Sequence, residues 1–286
     1  MEFLKYHALG NDYLVLTSED TYFHESEITK EKVRKICHRN YGLGSDGILV
    51  GGKGDPRKGF NLTIFNPDGS KAEKSGNGIR IFALSLWDRK IVTQSNFNIM
   101  TSGGLVNAKV ESSGKSVIVE MGSVSFSSDI IPLIGKSREV LNETIEINGE
   151  KIIFCAATIG NPHCIVLNKN STKADVLRIG PMLEKHPNFP YRTNVQFLEV
   201  LDRKTIRIEI WERGVGYTLA SGSSSCAAAS AAHRLGLCDD EITVIMPGGK
   251  IEILINQNYE ITMKGSVTRV GKMELDLECL SFVFPS

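Results

Sequence analysis

Short apolar runs alternate with polar turns along most of the chain, and this pattern predicts many β-strands and few helices. Most runs are β-branched or alternate in polarity, and Gly, Asn, Asp or Pro bounds them. The segments with this pattern are 14–16, 61–65, 117–121, 151–155, 164–167, 195–200, 205–211 and 251–255. Apolar positions at helical spacing predict helices over 30–39, 78–90, 176–185 and 223–235, with Gly236 ending the last one.

The predicted elements form two copies of one motif. Gly10-Asn11 opens the first copy and Gly160-Asn161 opens the second, each directly before an apolar strand. Asn11 precedes Ser75 by 64 residues, and Asn161 precedes Ser221 by 60. A duplicated chain predicts an α+β fold of two pseudo-symmetric lobes, each with mainly antiparallel strands and two helices, and an active site in the cleft between them.

The boundary between the lobes is predicted in the segment 121–135, which is rich in Ser and contains Gly and Pro. The tail after Val270 has a strand pattern with no counterpart in the second copy, so we expect it to return to the first lobe. The predicted domains are therefore 1–122 with 271–286 for the N-terminal lobe and 123–270 for the C-terminal lobe.

Composition narrows the class of protein. The 286 residues are 41% hydrophobic and 23% charged, and 33 Lys and Arg balance 33 Asp and Glu, so neither nucleic acid nor an acidic membrane surface is an expected partner. The sequence contains no apolar run of about 20 residues, and its first residues do not resemble a signal peptide. We expect a cytoplasmic globular protein with a small-molecule partner, and a homodimer is one assembly that the sequence permits.

The cysteines do not indicate chemistry. They have neither CxxC nor Cys/His ligand spacing, and they are Cys37, Cys155, Cys164, Cys226, Cys238 and Cys279. Buried free thiols are therefore expected, with no disulfide and no metal site.

Two turns of small residues stand directly before predicted helices: Ser75-Gly76-Asn77-Gly78 and Ser221-Gly222-Ser223-Ser224. Free backbone N–H groups and the positive end of the helix dipole make such a turn a good binding point for a carboxylate or phosphate. A single turn of this kind is more often an ordinary helix cap. Two at equivalent places favour an anion site, and the α-carboxylate of an amino acid is the expected ligand. Neither turn has the Lys of a P-loop, which makes a nucleotide phosphate the weaker alternative.

Polar residues at the ends of strands complete this pattern. Any single Asn is more often a turn residue, but several at matched places indicate a lining for a zwitterionic ligand. A guanidinium here is suited to a second carboxylate and a carboxylate to an ammonium group. The residues concerned are Asn11, Asn66, Asn161, Asn194, Glu212 and Arg213.

These motifs, taken in order, resemble those of the diaminopimelate epimerase family over essentially the whole chain. The resemblance is carried by Gly10-Asn11-Asp12, Gly42-Leu43-Gly44-Ser45-Asp46-Gly47, Asn66-Pro67-Asp68-Gly69-Ser70, Ser75-Gly76-Asn77-Gly78-Ile79-Arg80, Gly160-Asn161-Pro162-His163-Cys164, Glu212-Arg213-Gly214-Val215-Gly216 and Ala220-Ser221-Gly222. It implies two lobes, each of mainly antiparallel strands wrapped on a central helix, that close over an amino acid without pyridoxal phosphate or metal. One catalytic residue removes the α-proton from one face, and the other returns a proton to the opposite face.

The resemblance also implies the roles of individual residues. It places the two acid–base residues at Ser75 and Ser221. It implies that the distal amino acid centre is bound by Asn66, Asn161, Asn194, Glu212 and Arg213. The reacting end is held by Asn11 and by the turns Gly76-Asn77 and Gly222-Ser223.

Serine at both acid–base positions departs from the family, which has cysteine at each. A thiol ionises near ~8.5, whereas an aliphatic hydroxyl is a far weaker acid and works as a base when a neighbouring group takes its proton. The candidates for that neighbour are His163 and Glu212 in the second lobe, and Asp12, Asp46 and Asp68 in the first. Further departures are Lys74, Tyr217 and Ser224.

Three explanations of the serines stay open at this point: an engineered double replacement of cysteine, a natural relative that uses serines, and a binding protein without catalysis. The additional departures favour a natural relative. The predicted activity is epimerisation of LL- to meso-diaminopimelate. The alternatives are an isomerase of another substrate, similar to the phenazine-pathway proteins, and an amino acid binding protein.

Overall fold

The computed structural model describes residues 1–17 and 28–281, and these residues divide into two compact units. Unit 1 comprises Met1–Val119 together with the C-terminal segment from Gly265, and unit 2 comprises Glu120–Lys264. These bounds lie a few residues from the domain limits that the sequence predicts.

Unit 1 begins with strands interrupted by two helices. In chain order its elements are β1 (Glu2–Ala8), β2 (Asn11–Thr17), α1 (Lys30–Cys37), β3 (Ile48–Asp55), β4 (Gly59–Phe65), β5 (Lys71–Ala72), α2 (Gly76–Asp88), β6 (Asn96–Thr101), β7 (Gly104–Val110) and β8 (Ser116–Ser123). Most pairs are antiparallel, but β2–β3 and β4–β6 are parallel. Parallel neighbours follow from the helices α1 and α2, which carry the chain across to the next strand.

Unit 2 repeats this order. Its elements are β9 (Glu143–Ile147), β10 (Glu150–Thr158), β11 (Pro162–Leu167), α3 (Lys173–Glu184), β12 (Asn194–Asp202), β13 (Thr205–Glu212), β14 (Gly216–Thr218), α4 (Gly222–Arg234), β15 (Glu241–Met246), β16 (Gly249–Ile255) and β17 (Glu260–Ser266). Its parallel pairs, β11–β12 and β13–β15, correspond to those of unit 1. Register corresponds as well, since Val15 pairs with Leu49 in unit 1 and Ile165 with Gln196 in unit 2.

The chain ends in unit 1. Strand β18 (Thr268–Glu274) pairs antiparallel with β1, and α5 (Glu278–Ser281) follows it. The amide of Leu275 also donates to the carbonyl of Met1 at 2.7 Å. The strand pattern of the tail therefore forms a strand beside the first strand of the chain.

Helices α2 and α4 are each 13 residues long and are almost entirely buried. In α2, the residues from Gly76 to Leu86 are all buried, which is why the sequence shows no exposed polar stripe there. In α4 the buried face consists of small residues around Cys226, which allow close packing against the strands. Each helix is thus the core of its own unit, as the predicted fold class requires.

Caps explain where the helices begin. Helix α3 starts at Lys173, three residues before the predicted start, because Thr172 and Asp175 form a capping box. Gly236, with φ of 71°, lies just after α4 and takes the left-handed conformation that ends a helix.

The cysteines are free thiols, as predicted; Cys279 is half-buried and the other five are buried. In the part of the chain that the structure describes, no cluster of His, Cys, Asp and Glu could hold a metal ion. None of the helices among residues 1–17 and 28–281 has the length and apolar character needed to cross a membrane.

Candidate active site

Ser75 is the N-cap of α2. Its backbone is extended, with φ of −142° and ψ of 116°, and its Oγ accepts a hydrogen bond from Gly78 N at 3.1 Å. The first N–H groups of a helix have no acceptor within the helix, so the amides after Ser75 can donate to a group in front of the helix N-terminus. The turn therefore offers a hydroxyl and backbone donors at one point.

Ser221 has the same geometry in unit 2. It is the N-cap of α4, with φ of −144° and ψ of 124°, and its Oγ accepts from Ser224 N at 3.5 Å. The Ser221 side chain is buried, whereas that of Ser75 is half-buried. The predicted pair of serines thus occupies equivalent cap positions of two equivalent helices.

Asn11, Gly76 and Asn77, three of the predicted site residues, are brought together in unit 1. Asn77 Nδ2 donates to Asn11 Oδ1 at 3.0 Å. Arg80 is fully buried and donates to Asn77 Oδ1 at 2.7 Å and to Gly76 O at 3.1 Å. These bonds fix the turn before α2, and charge-assisted ones are the stronger kind.

Two of the proposed activating carboxylates of unit 1, Asp12 and Asp46, form an ion-pair network. Asp12 contacts Lys5 at 2.8 Å and Arg39 at 2.7 Å, and the same guanidinium contacts Asp46 at 2.6 Å. Burial raises the pKa of Asp12, but the hydrogen bonds and charges of Arg39 and Lys5 outweigh burial and lower it overall. Burial also raises the pKa of Asp46, which accepts from Asn11 Nδ2 at 2.9 Å.

The turn that contains Asn66 is held by its own side chains. Asn66 Nδ2 donates to Ser70 Oγ at 2.9 Å, and Ser70 Oγ donates to Asp68 Oδ1 at 2.6 Å. The hydrogen bonds from Ser70 lower the pKa of Asp68. Asp68, the third proposed activating carboxylate, is therefore a turn residue here, and Asn66 is engaged by its own turn.

The phenol of Tyr13 is a side chain that contacts Ser75. Tyr13 Oη lies 3.4 Å from Ser75 Oγ, and either oxygen can donate. Tyr13 is buried on β2, and the absence of a side chain at Gly47 makes room for its ring. A Cβ at Gly47 would lie 2.7 Å from Tyr13 Cε1 and 2.4 Å from the Phe65 carbonyl oxygen.

His163 occupies the equivalent position in unit 2, two residues after Asn161 as Tyr13 is two residues after Asn11. It is fully buried, and its Nε2 lies 3.0 Å from Asn161 Oδ1. Burial lowers the pKa of His163 to about 3; the Gln196 amide opposes this shift and the charge of Arg213 adds to it. The imidazole is therefore neutral across the physiological range.

Gln196 on β12 is hydrogen-bonded to Ser224 in the first turn of α4. Gln196 Nε2 donates to Ser224 Oγ at 2.9 Å, and both side chains are fully buried. Within the described residues, Gln196 Oε1 and His163 Nδ1 are buried and have no hydrogen-bond partner of good geometry.

Asn194 joins the strand β12 to the turn that contains Arg213. Its Oδ1 accepts from Arg213 N at 3.0 Å, and its Nδ2 donates to Pro162 O at 3.0 Å. Arg213 is exposed and its Nη1 donates to Tyr191 O at 3.0 Å. Glu212 Oε2 accepts from Thr218 Oγ1 at 3.2 Å. The structure thus brings three predicted residues, Asn194, Glu212 and Arg213, into one loop cluster.

Glu184, at the end of α3, also fixes this loop cluster. Its carboxylate is buried and accepts from Trp211 Nε1 at 2.8 Å and from Gly214 N at 3.1 Å. Arg192 lies 3.5 Å from it. Two successive amides of the turn, those of Arg213 and Gly214, are therefore bound by side chains from two other elements.

Sequence reasoning missed Tyr13, Glu184 and Gln196 as parts of this arrangement. Tyr13 has a sequence signal, because it matches His163 when the two copies are superimposed on Asn11 and Asn161. Glu184 and Gln196 have none, since each is a single polar residue in an otherwise ordinary helix or strand.

Comparison with known proteins gives consistent matches along the chain. The sequence model of the diaminopimelate epimerase family matches residues 3–127 and 155–270. Diaminopimelate epimerase 2 of Nostoc sp. is 55% identical over 278 residues, covering 97% of this chain and 96% of that protein. The diaminopimelate epimerase of Moorella thermoacetica is 36% identical over 264 residues, covering 88% and 91%.

Solved structures agree in fold. A probable proline racemase from Agrobacterium radiobacter K84 has a TM-score of 0.71 at 16% identity, covering 99% of this chain and 96% of its own. A hydroxyproline epimerase from Agrobacterium vitis, solved with trans-4-hydroxy-L-proline bound, has a TM-score of 0.66 at 15% identity, covering 96% and 90%. At these identities the similarity shows a common fold.

Proposed function

The chain belongs to the diaminopimelate epimerase family, and we propose that it interconverts LL- and meso-diaminopimelate with serine at both acid–base positions. The reaction needs removal of an α-proton from one face of the carbon and delivery of a proton to the other. In this proposal Ser75 and Ser221 perform these two steps, and no cofactor takes part. We place the reaction in the cytoplasm, as a step of lysine biosynthesis.

One observation carries this proposal: the two serines cap equivalent helices with nearly the same backbone conformation. Their φ values are −142° and −144°, and their ψ values are 116° and 124°. A helix cap needs a side-chain oxygen but does not require two matched copies. Matched hydroxyls at matched helix N-termini are suited to a carbon that is approached from two sides.

The reacting end of the substrate is assigned to the helix N-termini. The amides of Gly76, Asn77, Gly222 and Ser223 supply donors and the positive ends of two helix dipoles to the α-carboxylate. Asn11, which is bonded to Asn77, completes this group on unit 1. Stabilising negative charge here also favours the carbanion, because its charge delocalises onto the carboxylate.

The distal end is assigned to the loop cluster of unit 2. Arg213 presents an exposed guanidinium for the second carboxylate, and Glu212 is suited to the second ammonium group. Asn194 accepts from the Arg213 amide, Asn161 directly precedes β11, and Asn66 is the contribution assigned to unit 1. His163 supports Asn161 through the hydrogen bond at Nε2.

Hydrogen exchange at Cα tests the proposal directly. The protein would be incubated with LL-diaminopimelate in deuterated water. The stereoisomers would then be separated by chiral chromatography, and the deuterium content of each measured by mass spectrometry. We expect meso product that carries one solvent deuterium at the inverted centre.

Exchange in lysine but not in diaminopimelate would overturn the substrate assignment. Tight binding of diaminopimelate with no exchange would identify an amino acid binding protein and would remove the catalytic assignment of both serines.

A further inference from the structure

We rest this inference on the proposed function, which leaves one chemical problem at Ser75. An aliphatic hydroxyl is a weak base and a weak acid, so a serine needs a neighbour that takes its proton. A neighbour is useful when its pKa is close to the working pH, which excludes aliphatic hydroxyls and favours imidazole, thiol, phenol or amine.

The carboxylates that the sequence suggests for this role in unit 1 are committed elsewhere. Asp12 pairs with Lys5 and Arg39, and Asp46 accepts from Asn11 and from Arg39. The remaining one, Asp68, accepts two hydrogen bonds from Ser70. Each of these carboxylates stabilises its own loop.

Tyr13 is in direct contact with Ser75. The 3.4 Å between Tyr13 Oη and Ser75 Oγ is at the long end of a hydrogen bond, a common state before a ligand binds. Gly78 N already donates to Ser75 Oγ at 3.1 Å, so this oxygen has an amide donor and still carries a proton to give. The buried ring is held in place against Gly47, where any side chain would collide with it.

Comparison of the two units supports a role for Tyr13 at Ser75. Tyr13 and His163 occupy equivalent positions on β2 and β11, and both are titratable. His163 is bonded to Asn161, next to Gln196, and burial keeps it neutral. Tyr13, by contrast, contacts the serine of its own unit.

We propose that Tyr13 activates Ser75 as a phenolate. As Ser75 Oγ takes the α-proton of the substrate, the proton on Ser75 Oγ passes to Tyr13 Oη. The C–H bond breaks, its electron pair stays on Cα as a carbanion, one O–H bond forms on Ser75 while the other breaks, and the phenolate becomes a phenol. In the reverse direction the phenol returns the proton through Ser75. Tyr13 acts through Ser75 and does not touch the substrate.

Other ionisable groups surround this pair. Burial opposes the shift at Asp12, but the hydrogen bonds and charges of Arg39 and Lys5 lower its pKa, while burial raises the pKa of Asp46. Burial, followed by the charge and hydrogen bond of Asp88, raises the pKa of Tyr6, the cross-strand neighbour of Tyr13, well above the usual range. The charged and titratable side chains on the elements packed around the pair include Lys5, His7, Asp12, Arg39, Asp46, Lys74, Arg80 and Asp88. A lysine ammonium has an ordinary pKa near that of a phenol. Lys5 is ion-paired with Asp12, so the variant Lys74→Arg is the matched control.

The test is Tyr13→Phe made in two backgrounds, the natural protein and the variant Ser75→Cys. Phenylalanine keeps the ring and removes the hydroxyl. We expect a loss of about 10²- to 10⁴-fold in deuterium exchange when Ser75 is present, the usual value of a positioned proton acceptor. In the Ser75→Cys background we expect little change, because a thiol near ~8.5 ionises without help.

The pH profile gives a second readout that a merely structural tyrosine would not move. The rising limb of kcat/KM should lie at higher pH in the natural protein than in Ser75→Cys, because the ordinary pKa of a phenol, near ~10, exceeds that of a thiol, near ~8.5. The variant Lys74→Arg should leave the limb of the natural protein in place. Equal losses from Tyr13→Phe in both backgrounds, or a limb that moves with Lys74→Arg, would overturn the proposal.

A measurement without turnover separates this inference from the proposed function. ¹³C labelling of the tyrosine ring carbon that bears the oxygen reports ionisation, and Tyr13→Phe identifies the signal. A phenolate that accepts a hydrogen bond from Ser75 is stabilised, so Ser75→Ala should make the Tyr13 signal titrate at higher pH. An unchanged titration would contradict the pair even if diaminopimelate were the substrate, whereas a shifted one would support it even if the substrate were another amino acid.

Discussion

Ser75 and Ser221 have nearly the same backbone conformation, but different side chains surround them. Beside Ser75, the facing positions on β3 and α2 hold Leu49 and Gly78, and a Cβ at Gly78 would lie 3.2 Å from Leu49 Cδ2. At the corresponding positions beside Ser221 are Gln196 and Ser224, which are bonded to each other at 2.9 Å. An apolar contact in unit 1 thus replaces a buried hydrogen bond in unit 2.

This difference separates two ways of supporting a serine. In unit 1 the apolar packing leaves a titratable phenol at the hydroxyl. In unit 2 two buried hydrogen bonds, one between Asn161 and His163 and one between Gln196 and Ser224, supply fixed dipoles, and burial keeps the imidazole uncharged. A duplicated backbone therefore does not imply two equivalent acid–base groups.

Restoring both thiols is the largest expected perturbation of this comparison. Ser75→Cys combined with Ser221→Cys should raise epimerisation of LL- to meso-diaminopimelate by about 10²- to 10⁴-fold, because each position then has a group that ionises near ~8.5. Initial rates from the chiral separation of products give the measurement.

The single replacements show whether the units contribute equally. Each should gain much less than the pair, because inversion needs both removal and return of a proton. A single replacement that equals the pair would mean that one serine alone limits the reaction, and a natural protein as fast as the double-thiol variant would mean that both serines are already fully activated.

The second comparison is between Arg213 and Asn66 in their effect on the affinity for diaminopimelate. Replacing Arg213 by Ala should remove a charge-assisted contact worth about 1.5–3 kcal/mol, which corresponds to roughly 10- to 150-fold weaker binding of diaminopimelate. Calorimetric titration provides the affinity, with Asn66→Ala as the control. Asn66 is engaged by Ser70, so its loss should cost less. Unchanged affinity in Arg213→Ala would mean that the ligand has no distal carboxylate.

The third comparison removes the hydrogen bond between Gln196 and Ser224 in unit 2. Ser224→Gly leaves the buried Gln196 amide without this partner and should lower the free energy of unfolding by about 1–3 kcal/mol. Urea denaturation measures it, with Ser223→Gly as a matched control one residue earlier in the same helix. Equal losses in the two variants would mean that the helix preference of serine over glycine, not the bond to Gln196, sets the cost.

The last prediction concerns the neutral imidazole of His163. Its pKa of about 3 in the folded protein lies below the ordinary value near ~6.5, so below pH ~6.5 the unfolded chain binds a proton that the folded one refuses. Stability should therefore fall as pH drops from about 6.5 toward 3. Thermal unfolding of His163→Asn should show a smaller loss over this range than the natural protein. An identical loss would mean that His163 is protonated normally in the folded state.

Much of the fold follows from periodicity in the sequence. The four long helices, strands such as β2, β12 and β13, the α+β class and the duplication were predictable, because each unit repeats the same apolar pattern between turn residues. Strands such as β1, β3 and β15 were not among the predicted segments. The starts of α2 and α3 were less predictable, since caps such as Ser75 and Thr172 add residues that carry no apolar period. The parallel pairing of β2 with β3 was not predicted, because the direction of pairing depends on the segment that connects two strands and not on the sequence of either strand.

Motifs in the sequence indicate some residues of the candidate site, but not the contacts that depend on packing. Ser75, Ser221 and Arg213 stand in recognisable turns. Which carboxylate or phenol approaches Ser75 depends on Gly47 making room for a ring and on Arg39 holding both aspartates. Those facts involve residues far apart in the chain, and a single sequence does not show them.

The strand β18 has a consequence for the synthesis of the protein. Unit 2 is one continuous stretch of 145 residues, from 120 to 264, and this stretch separates β1 of unit 1 from its partner β18. At about 5–20 residues per second, the ribosome spends roughly 7–29 s on unit 2 alone. Throughout that interval one side of β1 has its backbone groups unpaired. Domains commonly fold in the order in which they emerge; in this chain the domain that starts first is completed last.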